Sequence, residues 1–287
     1  MTRPDGHFRT ISVEPVTPLI GGIVSGIDAR QPLSQEQFTE VHAALMDRGV
    51  LFFRDQDLTD EQQFVIARNF GTVARSAFLP SDVKGDQAYI DWLEDSADDP
   101  PKADLWHTDV VFKPEPPDFA VLNCRVAPAV GGDTLWLSLY GLYESLSPLL
   151  QQFVDRLEFR SVGVTTTIGV TDSAHSKVIY TPNIGYEGCV HPLVRVHPVT
   201  GKKALYLGGA NLDCIVGLKR HESAALIALL RGQLNNPGLQ CRWRWQQHDL
   251  VIWDERCTNH RATSDHYPVH RLMRRCTAGS GRPVGPR

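Results

Sequence analysis

Val251-Ile252-Trp253-Asp254-Glu255-Arg256-Cys257-Thr258-Asn259-His260-Arg261 reads as an apolar strand that runs into a polar turn and ends on a histidine. Strand-like stretches lie on both sides of it, Leu239 to Trp245 before and Arg271 to Ala278 after. From Leu105 onward such runs are separated by Pro and Gly. Two helical stretches interrupt them: Leu139 to Phe159, broken near Pro148, and Leu218 to Leu234, with apolar Ala225, Leu226, Leu229 and Leu230. Toward the N-terminus the pattern changes. Ser34 with Gln37, and Thr59 with Gln62, carry the reciprocal capping pattern of a helix start. Phe38, Val41 and Leu45 follow the first at helical spacing up to Gly49; Phe64, Val65, Ala67 and Phe70 follow the second up to Gly71. Val50 to Phe53 between them is apolar throughout, as a buried strand is. The pattern predicts one mixed domain over residues 1–287 with a mostly antiparallel sheet.

Composition narrows the function. A chain of 287 residues has ample core of its own. A net charge of −4 excludes a chain-wide basic field for nucleic acid. No run approaches the ~18 apolar residues of a membrane span. The N-terminal stretch has no apolar segment of the secretory kind, so none is expected. Six cysteines are scattered without a CxxC pair, which argues against structural zinc and against a disulfide framework; reduced thiols in the cytoplasm are expected. Residues 75–104 hold eight acids against Arg75, Lys84 and Lys102 and end on Pro100-Pro101, and are read as a lid loop. Residues 160–190, rich in Thr, Val and Gly, are read as a second lid.

His107-Thr108-Asp109 is the chain's only His-x-acid. On a strand, residues two apart face one side, so His107 and Asp109 can point at one metal. With distant His260 they make two imidazoles and a carboxylate, a set that leaves open positions on a non-haem Fe(II) and that also suits catalytic zinc. Arg271 and Arg275 share a face if His270 to Ala278 is a strand. Two guanidiniums beside a metal call for anions, and Arg is the residue for planar carboxylate recognition. The bland alternative is a solvated basic face of Arg271, Arg274 and Arg275.

At this point the chain resembles a known family. His107-Thr108-Asp109, Gly131-Gly132-Asp133-Thr134-Leu135-Trp136, His191-Pro192-Leu193-Val194, Trp253-Asp254, and His260 with Arg271 and Arg275 occur in order. Together they are similar to the TauD/TfdA family of Fe(II)- and 2-oxoglutarate-dependent dioxygenases, and most to its taurine dioxygenase branch, from about Val13 to Gly281. The resemblance implies a mainly β (α+β) fold with flanking helices, a double-stranded β-helix, or jelly roll, of the clavaminate-synthase-like kind. It implies His107, Asp109 and His260 as iron ligands, and Thr134 with Arg271 as the seat of the distal carboxylate of 2-oxoglutarate. Candidate substrate contacts are Arg275, Val110, Phe112 and Ser76. The implied reaction uses O2 and hydroxylates a C–H of a small, anionic organic substrate, giving succinate and CO2. Sulfonates, sulfate esters, aryloxyalkanoates and natural-product intermediates all fit. Oxidation of a biosynthetic intermediate without heteroatom release, or zinc hydrolysis on the same triad, are the alternatives. The taurine branch holds its sulfonate with a His, a Tyr and an Asn; Ser76, Leu79 and Ala103 stand there in this chain, so a larger or more apolar substrate than taurine is expected. The family also implies a dimer or tetramer, with no nucleic-acid or membrane partner. His191 and His197 are read as structural, and Cys257 and Cys276 as small core residues.

Overall fold

Short strands account for most of the regular structure. The structure, a computed structural model, describes residues 8–77, 79, 82–170, 176–182 and 188–287. In chain order the N-terminal elements are β1 (Ser12–Pro15), β2 (Gly22–Ser25), α1 (Gln35–Arg48), β3 (Val50–Phe53), α2 (Asp60–Asn69) and β4 (Asp91–Asp95). Then come β5 (Phe119–Val126), β6 (Thr134–Ser138), α3 (Leu139–Glu144), α4 (Pro148–Val154), β7 (Glu158–Ser161), β8 (Val164–Val170), β9 (Ser176–Pro182) and β10 (Cys189–Pro192). The chain closes with β11 (Val194–Val196), β12 (Lys203–Leu205), β13 (Leu212–Ile215), α5 (Arg220–Arg231), β14 (Gln240–Trp243), β15 (Leu250–Asp254), β16 (Thr258–Ala262) and β17 (Arg271–Ala278).

The large sheet has the order β1-β2-β3-β15-β5-β17-β4, antiparallel except between β2 and β3. A smaller antiparallel sheet, β14-β6-β16, faces it. Strand alternation explains why Val50–Phe53 is apolar at every position. Val50 and Phe52 point inward, toward Trp136 and Trp243, with Phe52 stacked on Trp243 at 4.2 Å between ring centroids. Leu51 and Phe53 point outward and are covered by Val41 and Leu45 of α1 and Ile66 and Ala67 of α2. Two facing antiparallel sheets with helices on the outer face make this the expected jelly roll. A third apolar cluster joins α3, α5 and the short strands β7, β11 and β12 through Leu139, Leu230, Phe159 and Leu205.

The predicted helix starts are present: Ser34 and Thr59 each cap their helix in the reciprocal box with Gln37 and Gln62. Gly49 closes α1 at φ 72°, where a Cβ would be strained. The stretch read as helical from Leu139 to Phe159 holds two helices, Pro148 opening the second, and its last residues, Glu158 and Phe159, begin β7. The segment read as a first lid differs. Its residues 91–95 form β4, the edge strand of the large sheet, paired with β17 in the register Asp91↔Arg275 and Asp95↔Arg271. The physical reason is charge: β4 turns acids inward, toward arginines, where hydrophobic patterning looks for apolar residues. In the segment read as a second lid, β8 and β9 pair antiparallel; residues 171–175 and 183–187 of that segment lie outside the described residues.

Candidate active site

Two segments of the chain bring together His107, Asp109 and His260, a group that could hold a metal ion. His260 sits on β16, in a strand continuous with the polar turn after β15. His107 bridges to it across the backbone, N–H to C=O in both directions at 2.9 Å. The route from His107 to Asp109 differs from the expected one. The two residues do not share a strand face; Asp109 enters a turn whose next residue, Val110, has φ 53°. For a β-branched residue this backbone is costly and persists only where the surroundings enforce it. The turn brings the carboxylate back beside the imidazoles. Asp109 Oδ1 lies 3.7 Å from His107 Nε2 and 3.8 Å from His260 Nε2.

This donor set fits a ferrous ion. His107 Nδ1 donates to the Leu105 carbonyl at 2.7 Å, which leaves Nε2 as the lone-pair nitrogen aimed at the site. Burial, and after it the neighbouring His107, drives the His260 imidazole well below its ordinary pKa, so it stands neutral and ready to bind. Burial alone would raise Asp109, but Arg275, His260 and His107 together outweigh it and hold the carboxyl at about 2. Below the turn, Glu255 accepts from the Asp109 backbone N–H at 3.1 Å and from Trp253 Nε1 at 2.7 Å. Its own carboxyl is pushed well up, by burial first and by the Asp109 charge next. The Trp253 ring lies 4.9 Å from that of His260 and fixes its plane.

A cavity of about 310 Å³ opens onto these groups. His107, His260, Thr134, Arg271 and Arg275 all line it, so five of the expected site residues share one space. Arg271 is buried, its Nε donating to the Gly132 carbonyl at 3.1 Å and its Nη2 reaching Thr134 Oγ1 at 3.5 Å. Asp95 lies 3.4 Å from Nη1. Burial outweighs that single loose carboxylate and lowers the Arg271 pKa. A buried guanidinium so little compensated calls for a further anion, and the distal carboxylate of 2-oxoglutarate suits it. The Gly131-Gly132 turn lets the chain approach: both have positive φ, and a Cβ on Gly132 would crowd Arg271 and His266.

Not every expected residue reaches this cavity. Ser76 and Val110 line a neighbouring recess of about 50 Å³, together with Arg75, Asp91 and Lys113. Phe112 is buried and lines neither space, because the turn after Asp109 carries it into the core. Trp253 does line the main cavity. Arg275 is held by Asp109 and Asp91, not left open. The solvated basic face does not form: Arg271 and Arg275 point inward, and Arg274 points outward over Trp92. His191 is structural, within 2.8 Å of the Val111 carbonyl, and His197 meets Asp254 at 3.0 Å. Cys257 and Cys276 are buried, and burial lifts both thiols, Cys276 to about 12. Three residues were missed: Asp91, Asp95 and Glu255. For the first two the available signal was their spacing of four, which equals that of Arg271 and Arg275.

The chain is similar to known proteins over nearly its whole length. A family model described as "Taurine catabolism dioxygenase TauD, TfdA family" matches residues 12–277. An alkylsulfatase of Acinetobacter baylyi is 33% identical over 94% of this chain and 85% of its own length. An alpha-ketoglutarate-dependent sulfate ester dioxygenase of Pseudomonas putida is 32% identical over 97% of this chain and 93% of its own. A solved structure described as a putative alpha-ketoglutarate-dependent taurine dioxygenase from Burkholderia xenovorans superposes with a TM-score of 0.82 at 33% identity, covering 96% of this chain and 92% of that one.

Proposed function

This chain belongs to the TauD/TfdA family of 2-oxoglutarate-dependent dioxygenases, and from that premise we propose that it oxidises a C–H bond of a small organic substrate of the sulfate ester or sulfonate kind, at an iron held by His107, Asp109 and His260. Ferrous iron, 2-oxoglutarate and O2 are its cofactors and co-substrates, and together, when bound, they supply the power to replace substrate hydrogen by hydroxyl, with succinate and CO2 as by-products. The protein's part is placement and exclusion of water. Arg271 and Thr134 would hold the far carboxylate of 2-oxoglutarate. The Leu105 carbonyl and Trp253 keep the two imidazoles in the binding orientation. Leu93, Pro101, Trp253 and Met273 make the apolar wall against which the substrate carbon lies. Hydroxylation at a carbon that carries a sulfate oxygen or a sulfonate sulfur gives a product that collapses to a carbonyl compound and releases sulfate or sulfite.

The observation that carries this proposal is that one cavity is lined by His107 and His260, with Asp109 beside them, and by Arg271 and Thr134. Zinc hydrolysis gives no role to the last two. Among the described residues no helix is long and apolar enough to cross a membrane. The proposal takes the enzyme as cytoplasmic, a dimer or tetramer, acting on a small molecule and on neither nucleic acid nor membrane; size-exclusion chromatography checks the assembly.

The decisive experiment is anaerobic. Metal-free protein given Fe(II) and then 2-oxoglutarate is expected to develop the visible charge-transfer band of the chelate, and His107→Ala is expected to abolish it. Loss of a direct ligand should weaken metal binding by more than about a hundredfold, beyond what removal of a supporting contact does. A band that persists in the variant removes His107 from the ligand set. Succinate release with alkyl sulfates of increasing chain length, against taurine, then ranks substrates.

A further inference from the structure

Three cations line the main cavity, and each already faces a carboxylate of the chain. Lys102 Nζ lies 2.5 Å from Asp99. Arg271 faces Asp95 loosely and is the seat proposed for 2-oxoglutarate. Arg275 is the tightly held one. Its Nη1 donates to both Asp109 oxygens at 2.8 and 2.7 Å, and its Nε and Nη2 donate to Asp91 Oδ2 at 3.3 and 3.0 Å. The Ser76 hydroxyl donates to the other Asp91 oxygen. Asp91 is 8% exposed and Arg275 6%, so water screens little between them. Arg275 lines the main cavity and Asp91 lines the smaller recess, so the pair forms the wall between the two spaces.

We propose that Asp91 is a specificity-determining residue: it cancels the charge that Arg275 presents to the cavity, so the enzyme selects its primary substrate by the apolar skeleton and takes an uncharged head group as readily as an anionic one. This deepens the dioxygenase assignment and rests on it. The balance is simple. One guanidinium faces two carboxylates, and even with the Asp109 charge committed to a metal, Asp91 alone neutralises Arg275. An incoming sulfate must share Arg275 with a fixed like charge. The strand register places Asp91 directly opposite Arg275, so the backbone pairing of β4 with β17 sets its carboxylate beside that guanidinium. Elsewhere the lining is apolar at Leu93, Pro101, Ala103, Trp253 and Ala262, and besides Arg271 its charged groups are Glu94, Asp95, Asp99 and Lys102, the lysine paired with Asp99.

Hexyl sulfate and hexyl sulfamate make the test, since they share a shape and differ by one charge. Dissociation constants are measured by calorimetry under nitrogen, on protein loaded with Fe(II) and 2-oxoglutarate. For the natural chain the two constants are expected to agree within about threefold, and Asp91→Asn is expected to shift the ratio toward the sulfate by at least about tenfold. A natural chain that prefers the sulfate by more than about tenfold overturns the proposal. An unchanged ratio in Asp91→Asn also overturns it. If Asp91→Asn does not fold, the ratio of the natural chain decides alone. Binding of neither ligand overturns the proposal, and succinate release by the same preparation then shows that the dioxygenase assignment stands without it. Absence of both succinate release and the 2-oxoglutarate band defeats the assignment itself.

Discussion

Arg271 and Arg275 stand four residues apart on the same face of β17, each opposite an acid of β4, and the chain treats them differently. At the Arg275 end two carboxylates close in, one from β4 and one from the metal-binding turn, and they outweigh the cost of burial so that the guanidinium is held charged above its ordinary range. At the Arg271 end a single carboxylate stands off at 3.4 Å, burial wins, and the charge is under-compensated. One strand thus carries a structural cation and a ligand-seeking cation. What separates them is how many fixed anions each already faces, a property of the neighbours and not of the residue.

The largest expected effect breaks the tight end. Arg275→Ala leaves Asp91 and Asp109 buried without their shared counter-charge, and should cost the metal-free protein about 3–5 kcal/mol in urea unfolding. A loss below about 1 kcal/mol would place Arg275 with ordinary surface pairs. The loose end should respond in binding instead. Arg271→Ala should raise the 2-oxoglutarate concentration needed for the anaerobic band by about ten- to hundredfold, the worth of a buried charge-assisted contact of about 1.5–3 kcal/mol. Unchanged half-saturation would remove Arg271 from the co-substrate site. Smallest is Asp95→Asn. By removing the one carboxylate that competes for Arg271, it should tighten 2-oxoglutarate by about two- to fivefold, as a loose pair worth about 0.2–1 kcal/mol allows. Weaker binding in that variant would mean that Asp95 positions Arg271 instead of competing for it.

The two ends were also unequally legible. β17 and its two inward arginines could be read from the sequence, because strand alternation places residues 271 and 275 on one side. So could α1 and α2, whose starts are written in Ser34, Gln37, Thr59 and Gln62. The triad could be read as residues, and the family resemblance gave its roles. β4 could not. Its inward positions are Asp91, Leu93 and Asp95, and a strand whose buried face is mostly acidic looks like a solvated loop until the arginines opposite are known. The turn after Asp109 was hidden for another reason: left-handed backbone is usually flagged by Gly or Asn, and here Val110 takes it. Glu255 gave no signal, since only the fold places its carboxylate under the Asp109 amide.

β4 is also the outermost strand of its sheet, five residues long and, among the described residues, paired with a strand on one side only. Edge strands are among the first to open in native-state fluctuations, because fewer bonds must break. Here such fraying would carry Asp91 and Asp95 away together and briefly unmask both guanidiniums. The electric field over the iron site is thus hinged at the hem of the sheet, and slow amide exchange along Asp91–Asp95 would be the mark of a field held constant.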